Sequence, residues 1–80
     1  MFQLNGTVER ETEKAVLFSA TVLYTGTVRN GSRASVWFPK SRIEKIASDA
    51  LTFDDANEWL LTAKEREANG QFVFVPQAVS

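Results

Sequence analysis

The alternation of apolar and polar residues predicts strands along the first half of the chain. The segment 2–10 alternates through Phe2, Leu4 and Val8, and Gly6 marks a candidate bulge. The segment 15–24 has the longest strand signal. Every second residue in it is apolar, which gives one continuous face: Val16, Phe18, Ala20, Val22 and Tyr24.

A hairpin is predicted next, because Asn30-Gly31 is typical of a two-residue loop in which both residues have positive φ. Pairing centred on this loop places Tyr24 opposite Trp37. Trp37 then lies on the apolar face of 15–24, and Phe38 lies on the opposite face. A bulge near Gly26 would shift the pairing by one residue and exchange the two faces. Pro39 ends the strand because it has no N–H to donate.

A helix is predicted over 52–70, after a short connection that contains Ile43 and Ile46. Thr52 is a good N-cap, and negative charge in the first turn suits the helix dipole. Asn69-Gly70 predicts a left-handed cap at the other end. We expect Trp59 to be buried against 15–24, at a cost of about 3–5 kcal/mol on truncation to Ala. It lies in the middle of an apolar stripe at helical spacing: Phe53, Ala56, Trp59, Leu60 and Ala63.

The fold class that follows is α+β. The run 71–76 predicts a last short strand, which Pro76 ends. An apolar sheet face and an apolar helix stripe are both removed from water when they pack against each other. We therefore expect one domain, 1–80, with a curved antiparallel sheet or small open barrel of about four to six strands and one helix in the C-terminal half.

Composition narrows the function classes. The chain has no cysteine and no histidine, so thiolate metal sites, disulfides and imidazole chemistry are excluded. No apolar run approaches the roughly 18 residues of a membrane span, and no signal region precedes the first strand. The sequence therefore predicts a cytoplasmic protein without a membrane partner. The net charge of −1 combines a basic part, 1–51, with an acidic part, 52–80.

Candidate catalytic chemistry is sparse. Asp54, Asp55 and Glu58 could supply a catalytic carboxylate pair, but acids are expected in the first turn of a helix for dipole reasons. Their spacing matches no Ca²⁺ or Mg²⁺ loop, and the four glycines do not form a phosphate loop. We predict a non-enzyme without a cofactor or a metal.

The stretch VWFPKSRIE, 36–44, has two interpretations. In the first, Tyr24, Trp37 or Phe38 stacks on single-stranded nucleic acid while Arg29, Arg33, Lys40, Arg42 and Lys45 contact phosphates. In the second, Trp37 belongs to the core, Phe38 packs under the loop, and the cations are solvated. The acids interleaved with the cations weaken an electrostatic attraction to nucleic acid, so we favour the structural interpretation.

Three short motifs suggest a family. They are ETEKAVLF, from Glu11 to Phe18, then VWFPKSRIE, and then EWLLTAKE in the predicted helix. In this pattern the chain resembles a group of small proteins encoded by bacteriophages and mobile elements, over roughly residues 8–65. The resemblance implies an origin on a mobile element and cytoplasmic action inside a host cell. The long hairpin and the run QFVFVPQ depart from the group's pattern, so a specialised function would lie there.

Two functional hypotheses remain. The preferred one is a phage-type inhibitor or adaptor, of the anti-CRISPR kind, that binds a host protein or ribonucleoprotein complex. The alternative is a single-stranded nucleic-acid-binding accessory that uses Trp37, Phe38, Lys40 and Arg42. The sequence does not indicate an oligomeric state. The predicted partner-binding residues lie at the hairpin tip, in the PKSR turn and on the acidic helix face: Arg29, Asn30, Arg33, Lys40, Arg42, Asp54, Asp55 and Glu58.

Overall fold

The computed structural model describes residues 1–25 and 32–79, and all of its strand pairs are antiparallel. The strands are β1 (Phe2–Glu11), β2 (Ala15–Tyr24), β3 (Ser32–Pro39), β4 (Lys45–Ala47), β5 (Ala50–Phe53), β6 (Phe72–Phe74) and β7 (Gln77–Ala78). The helix is α1 (Trp59–Glu67), and short 3₁₀ turns cover Lys40–Arg42 and Asp55–Asn57.

The sheet has the strand order β3-β2-β1-β5-β4, with β6 paired to β2 and β7 paired to β1. It is not closed into a barrel. The predicted fold class, an open antiparallel sheet with one helix in the C-terminal half, is confirmed. No helix in the described part of the chain is long and apolar enough to cross a membrane.

Strand β1 changes partner at Gly6. Residues before Gly6 pair with β5, and the residues from Gly6 onward pair with β2. A Cβ at Gly6 would meet the backbone carbonyl oxygen of Ser19, so the crossing of β1 over β2 needs a glycine there. The predicted bulge at Gly6 is wrong in position, because the register shift lies between Val8 and Arg10.

The core contains all six phenylalanines of the chain. The rings of five of them form a connected series: Phe2 stacks on Phe53 at 5.2 Å, Phe53 meets Phe38 at 5.5 Å, Phe38 meets Phe74 at 5.9 Å, and Phe74 meets Phe72 at 5.4 Å. Edge-to-face and offset contacts of this kind add to the stability from area burial alone. The series joins β1, β5, β3 and β6, so it ties the two ends of the chain together.

The predicted register of the hairpin is wrong. In the structure Leu17, and not Tyr24, faces Trp37, and Phe18 faces Val36 without any shift along the ladder. The side chains of β3 therefore point to the faces opposite to those predicted. Phe38 is fully buried and Trp37 is 39% exposed. The Asn30-Gly31 turn lies outside the described residues.

The predicted start of the helix is also wrong. Thr52 is a strand residue, because Leu51 and Phe53 are both fully buried opposite Leu4 and Phe2 of β1. An alternating pair of buried residues suits a strand better than a helix. Helix α1 consequently starts only at Trp59 and buries Leu60 and Leu61, which leaves Trp59 54% exposed.

The end of the helix follows the prediction. Asn69 and Gly70 have φ values of 57° and 70°, and the Gly70 N–H donates to the Glu65 carbonyl over 3.0 Å. This left-handed pair reverses the chain. The next residues form β6, as expected, with Phe72 and Phe74 buried.

Candidate protein-interaction surface

Asp54 shapes the turn from β5 into the helix. Its carboxylate accepts a hydrogen bond from the Ala56 N–H over 2.8 Å, and its carbonyl accepts one from the Asn57 N–H over 2.9 Å. The carboxylate cap satisfies an N–H that a short helical turn leaves free. Asp54, predicted as a partner-binding residue, therefore has a structural role in this turn.

The PKSR turn packs beside the helix start. Pro39 has an extended backbone, and the Ile43 N–H closes the 3₁₀ turn on the Lys40 carbonyl over 3.1 Å. The Asn57 side-chain amide donates to the Arg42 carbonyl over 3.4 Å. Segments that are 15 residues apart thus meet, and the basic turn lies next to the acidic helix start.

Trp59 and Arg42 form an exposed pair at this junction. The Arg42 guanidinium carbon lies 5.7 Å from the centre of the Trp59 ring, which is cation–π distance. Trp59 is the first residue of α1, so its backbone is held by the helix while its indole faces solvent. The result is a large, orientated aromatic surface next to a positive charge.

Two exposed carboxylates, Asp55 and Glu58, lie on the segment that leads into the start of α1. They line a concavity of about 360 Å³, together with Met1, Phe2 and the segment 76–79. The Asp55 carboxylate is 3.2 Å from the Met1 amino group. We name the exposed group Arg42, Asp55, Glu58 and Trp59 the Trp59 surface; three of its members were predicted from the sequence.

Other predicted partner-binding residues lie elsewhere. Lys40 forms an ion pair of 3.1 Å with Glu11 of β1. Arg33 lies on β3, where its guanidinium donates to the Thr7 hydroxyl over 3.1 Å. Arg29 and Asn30 fall outside the described residues. The structure thus gathers the acidic residues and Arg42 at one place and leaves Arg33 on another element.

The outer face of the sheet carries hydrogen-bonded polar side chains, and Trp37 lies at one end of it. Ser35 of β3 donates to the Glu9 carboxylate of β1 over 2.9 Å, across the small Ser19 of β2. Ser19 is the one buried polar residue in the described part of the chain. Trp37 and Leu17 lie side by side on the same face.

The sequence pattern predicts a buried Trp59, and its exposure in the structure contradicts that prediction. A signal for it exists, because Trp59, Leu60 and Leu61 are consecutive and a helix cannot turn all three toward one core. Leu60, Leu61 and Ala68 form the stripe that packs inward. Placing the helix start after Phe53 would have separated Trp59 from that stripe.

No group of three or more acidic residues within 1–25 and 32–79 is arranged to hold a metal ion. The polar side-chain atoms that are buried in the same ranges all have hydrogen-bond partners. Comparison with protein-family models, curated proteins and solved structures finds no match to this chain.

Proposed function

We propose that this chain is a non-enzymatic binding domain that docks on a host protein or ribonucleoprotein through the Trp59 surface. The observation that carries the proposal is the position of Trp59, which is 54% exposed although it is the first residue of the only α-helix among the described residues. The Trp59 surface takes Asp55 and Glu58 from the predicted acidic helix face and Arg42 from the PKSR turn, and it contains no residue of the predicted hairpin tip.

An exposed tryptophan on a rigid element suits a binding site. Tryptophan and arginine are the residue types most enriched among those that dominate binding energy, and both are present here in contact. The helix backbone fixes Trp59, so little conformational freedom is lost when a partner covers the indole. If a partner covered the ring completely, on the order of 100 Å² of its exposed surface would be removed from water.

The charges near Trp59 indicate the charge of the partner's binding surface. Asp55 and Glu58 are exposed and precede Trp59 closely in the chain, and the segment 52–80 carries two Lys/Arg against five Asp/Glu. Acidic groups at the rim of an interface accelerate association with a basic partner and contribute less to the final affinity. A basic groove that otherwise receives nucleic acid is such a partner.

Two other observations support a role in blocking a host process. The chain lacks the histidine and cysteine that most nucleophilic and acid–base sites use, which supports action by occupancy. The resemblance to small phage-encoded proteins supports a target in a host defence, such as a CRISPR-Cas-type complex. A small protein without catalytic groups would inhibit such a complex by covering one of its working surfaces.

The test is co-purification from host lysate, with and without nuclease, using wild type and Trp59→Ala. We expect a host protein to be retained by wild type after nuclease treatment and lost by Trp59→Ala. Trp37→Ala is the matched control, because it removes an exposed indole from a different face. Equal loss in both variants, or retention in both, would show that the Trp59 surface is not the contact.

The contribution of Asp55 and Glu58 to association can be measured with the captured partner. Asp55→Lys and Glu58→Lys together are expected to slow association at low salt, with a smaller effect on dissociation. Asp49→Lys is the control, because Asp49 is an exposed carboxylate in the turn between β4 and β5. If the control slows association as much as the double variant, the acids beside Trp59 have no special role.

The single-strand alternative has one observation in its favour. Trp37 is 39% exposed on the outer sheet face, and Arg33 lies on the same face. Against it, Phe38 is buried and cannot stack on a base, and Lys40 is paired with Glu11. Arg33 and Lys40 contact Thr7 and Glu11 of β1, whereas Arg42 contacts Trp59 of α1, so each of these three cations already has a different partner within the chain.

Fluorescence anisotropy with labelled single strands at two salt concentrations tests this alternative. Binding that falls with salt, and that Trp37→Ala abolishes while the protein stays folded, would support it. Binding that is absent at both salt concentrations would leave protein binding as the function. Lys40→Ala with Arg42→Ala would flatten the salt dependence only if both contact phosphates.

A further inference from the structure

The strands at the two ends of the order β3-β2-β1-β5-β4 differ in how their outer edges are protected from pairing with another chain. Strand β4 has three residues and begins with Lys45, whereas β3 has eight residues and a single charged side chain, Arg33. Short length and charge are the usual means of preventing an edge strand from pairing with another chain. Among the described residues, no strand pairs with the outer edge of β3.

The ladder itself shows which backbone groups face outward. The Lys40 N–H donates to the Lys14 carbonyl over 2.8 Å, and Pro39, which has no N–H, lies opposite Ala15. Hydrogen-bonded pairs alternate with non-bonded pairs along an antiparallel ladder. The backbone N–H and carbonyl groups of the even-numbered residues of β3 therefore point toward β2 and bond to it. Arg33, Ser35 and Trp37 direct their N–H and carbonyl groups away from it.

A groove of about 290 Å³ lies beside these groups, between β3 and the end of α1. Consecutive strand residues point to opposite faces, so a groove lined by Ser35, Val36 and Trp37 together is at the strand edge. Its other side is formed by α1 and by the start of β6: Lys64, Glu67, Ala68 and Phe72.

We infer that a second copy of this chain occupies the edge, with β3 paired antiparallel to β3 of the partner about Ser35. This register aligns Arg33, Ser35 and Trp37 with Trp37, Ser35 and Arg33 of the other copy, so all three outward-facing residues find hydrogen-bonded partners. Centring the pairing on Val36 instead would place Arg33 opposite Pro39, which has no N–H.

The side chains match in the same register. Each Arg33 lies opposite Trp37 of the other copy, and its guanidinium would give up the exposed hydrogen bond to Thr7 to form a cross-strand cation–π pair with that indole. On the inner face, Ala34 of one copy faces Val36 of the other, so a small side chain enters each groove. The Tyr24 hydroxyl already donates to the Arg33 carbonyl over 3.1 Å, and a carbonyl oxygen, with two lone pairs, can accept a second hydrogen bond from the partner strand.

Ser35→Pro tests the edge directly. It removes an outward N–H and leaves every hydrogen bond between β2 and β3 in place, as Pro39 already does. Ser35→Ala is the matched control, since it also loses the hydroxyl bond to Glu9 but keeps the N–H. In sedimentation velocity over a wide concentration range, we expect reversible dimers for wild type and Ser35→Ala and monomers for Ser35→Pro.

A second measurement covers the case in which Ser35→Pro does not fold. The chain has no cysteine, so Ser35→Cys introduces a single thiol. Hydrogen-bonded antiparallel partners have Cα atoms about 5.5 Å apart, within disulfide range. We expect Ser35→Cys to form a disulfide-linked dimer faster than Ser48→Cys, whose thiol would lie between β4 and β5 at the other end of the sheet.

Three results would overturn the inference. They are a wild-type protein that stays monomeric at all concentrations, a folded Ser35→Pro that dimerises like wild type, and equal cross-linking at positions 35 and 48. A monomeric wild type whose host partner is lost in Ser35→Pro would identify a foreign strand at this edge instead. Trp59→Ala should still dimerise, which separates this inference from the function proposed for the Trp59 surface.

Discussion

The Glu65 carboxylate of α1 accepts a hydrogen bond from the Phe74 backbone N–H of β6 over 2.9 Å, in a partly buried position. The contact joins the helix to a strand of only three residues. A charged acceptor makes a stronger hydrogen bond than a neutral one, and the N–H would otherwise be left without a partner. Glu65 thus fixes how the helix lies against β6.

Glu65→Ala is expected to reduce the free energy of unfolding by about 1.5–3 kcal/mol, because the Phe74 N–H loses a charged partner. Urea denaturation measures the change. Glu67→Ala is the control, since Glu67 is an exposed residue with a single ion pair of 3.6 Å to Lys64, and it should change stability by about 0.5 kcal/mol or less. Equal effects of the two substitutions would contradict the role given to Glu65.

Truncation of Phe38 is expected to cost far more stability than truncation of Trp37, which is the reverse of what the sequence predicted. Phe38→Ala removes a fully buried ring that contacts Phe53 and Phe74, and should cost about 3–5 kcal/mol. Trp37→Ala changes an exposed side chain and should cost about 1 kcal/mol or less. Thermal and urea unfolding of the two variants side by side decide between the two registers.

The apolar face of β2 could be predicted from sequence, because its alternation is local. Val16, Phe18, Ala20 and Val22 are all buried as expected. The orientation of Trp37 could not be predicted, because it depends on how residues 26–31 connect the strands, and an odd shift exchanges the faces. The acids and Arg42 of the Trp59 surface were identified by residue type. The exposure of Trp59 depends on Leu51 and Phe53 pairing with β1, a long-range contact that a helical spacing pattern does not report.

Gly6→Ala is expected to destabilise the fold by about 1–3 kcal/mol, which is the usual range for overpacking. The added methyl group would meet the Ser19 carbonyl oxygen, and backbone cannot move aside as a flexible side chain can. Gly70→Ala is the comparison. Nothing lies near its Cβ position, so only the left-handed backbone, with φ of 70°, adds a cost of about 1–2 kcal/mol.

Hydrogen exchange separates the two glycine variants further. Gly6→Ala should increase exchange along β1 and β2, where the added methyl group forces the strands apart. Gly70→Ala should increase it only around the end of α1 and the start of β6. Loosening that spreads over the whole sheet in Gly70→Ala would argue against a purely local cost at the helix end.

Trp59→Ala is expected to leave stability nearly unchanged, although the sequence pattern predicted a loss of about 3–5 kcal/mol on truncation. More than half of the side chain is exposed, and the interaction with Arg42 contributes only about 0.5–1 kcal/mol at an exposed site. Arg42→Ala should reproduce most of that small change, because it removes the same contact and leaves the indole in place. Urea denaturation gives both values, and acrylamide quenching of a Trp37→Phe protein reports the exposure of Trp59 alone. Strong quenching together with a small stability change is the expected result. A protected indole, or a loss of several kcal/mol in Trp59→Ala but not in Arg42→Ala, would place Trp59 in the core and remove the observation on which the proposed function depends.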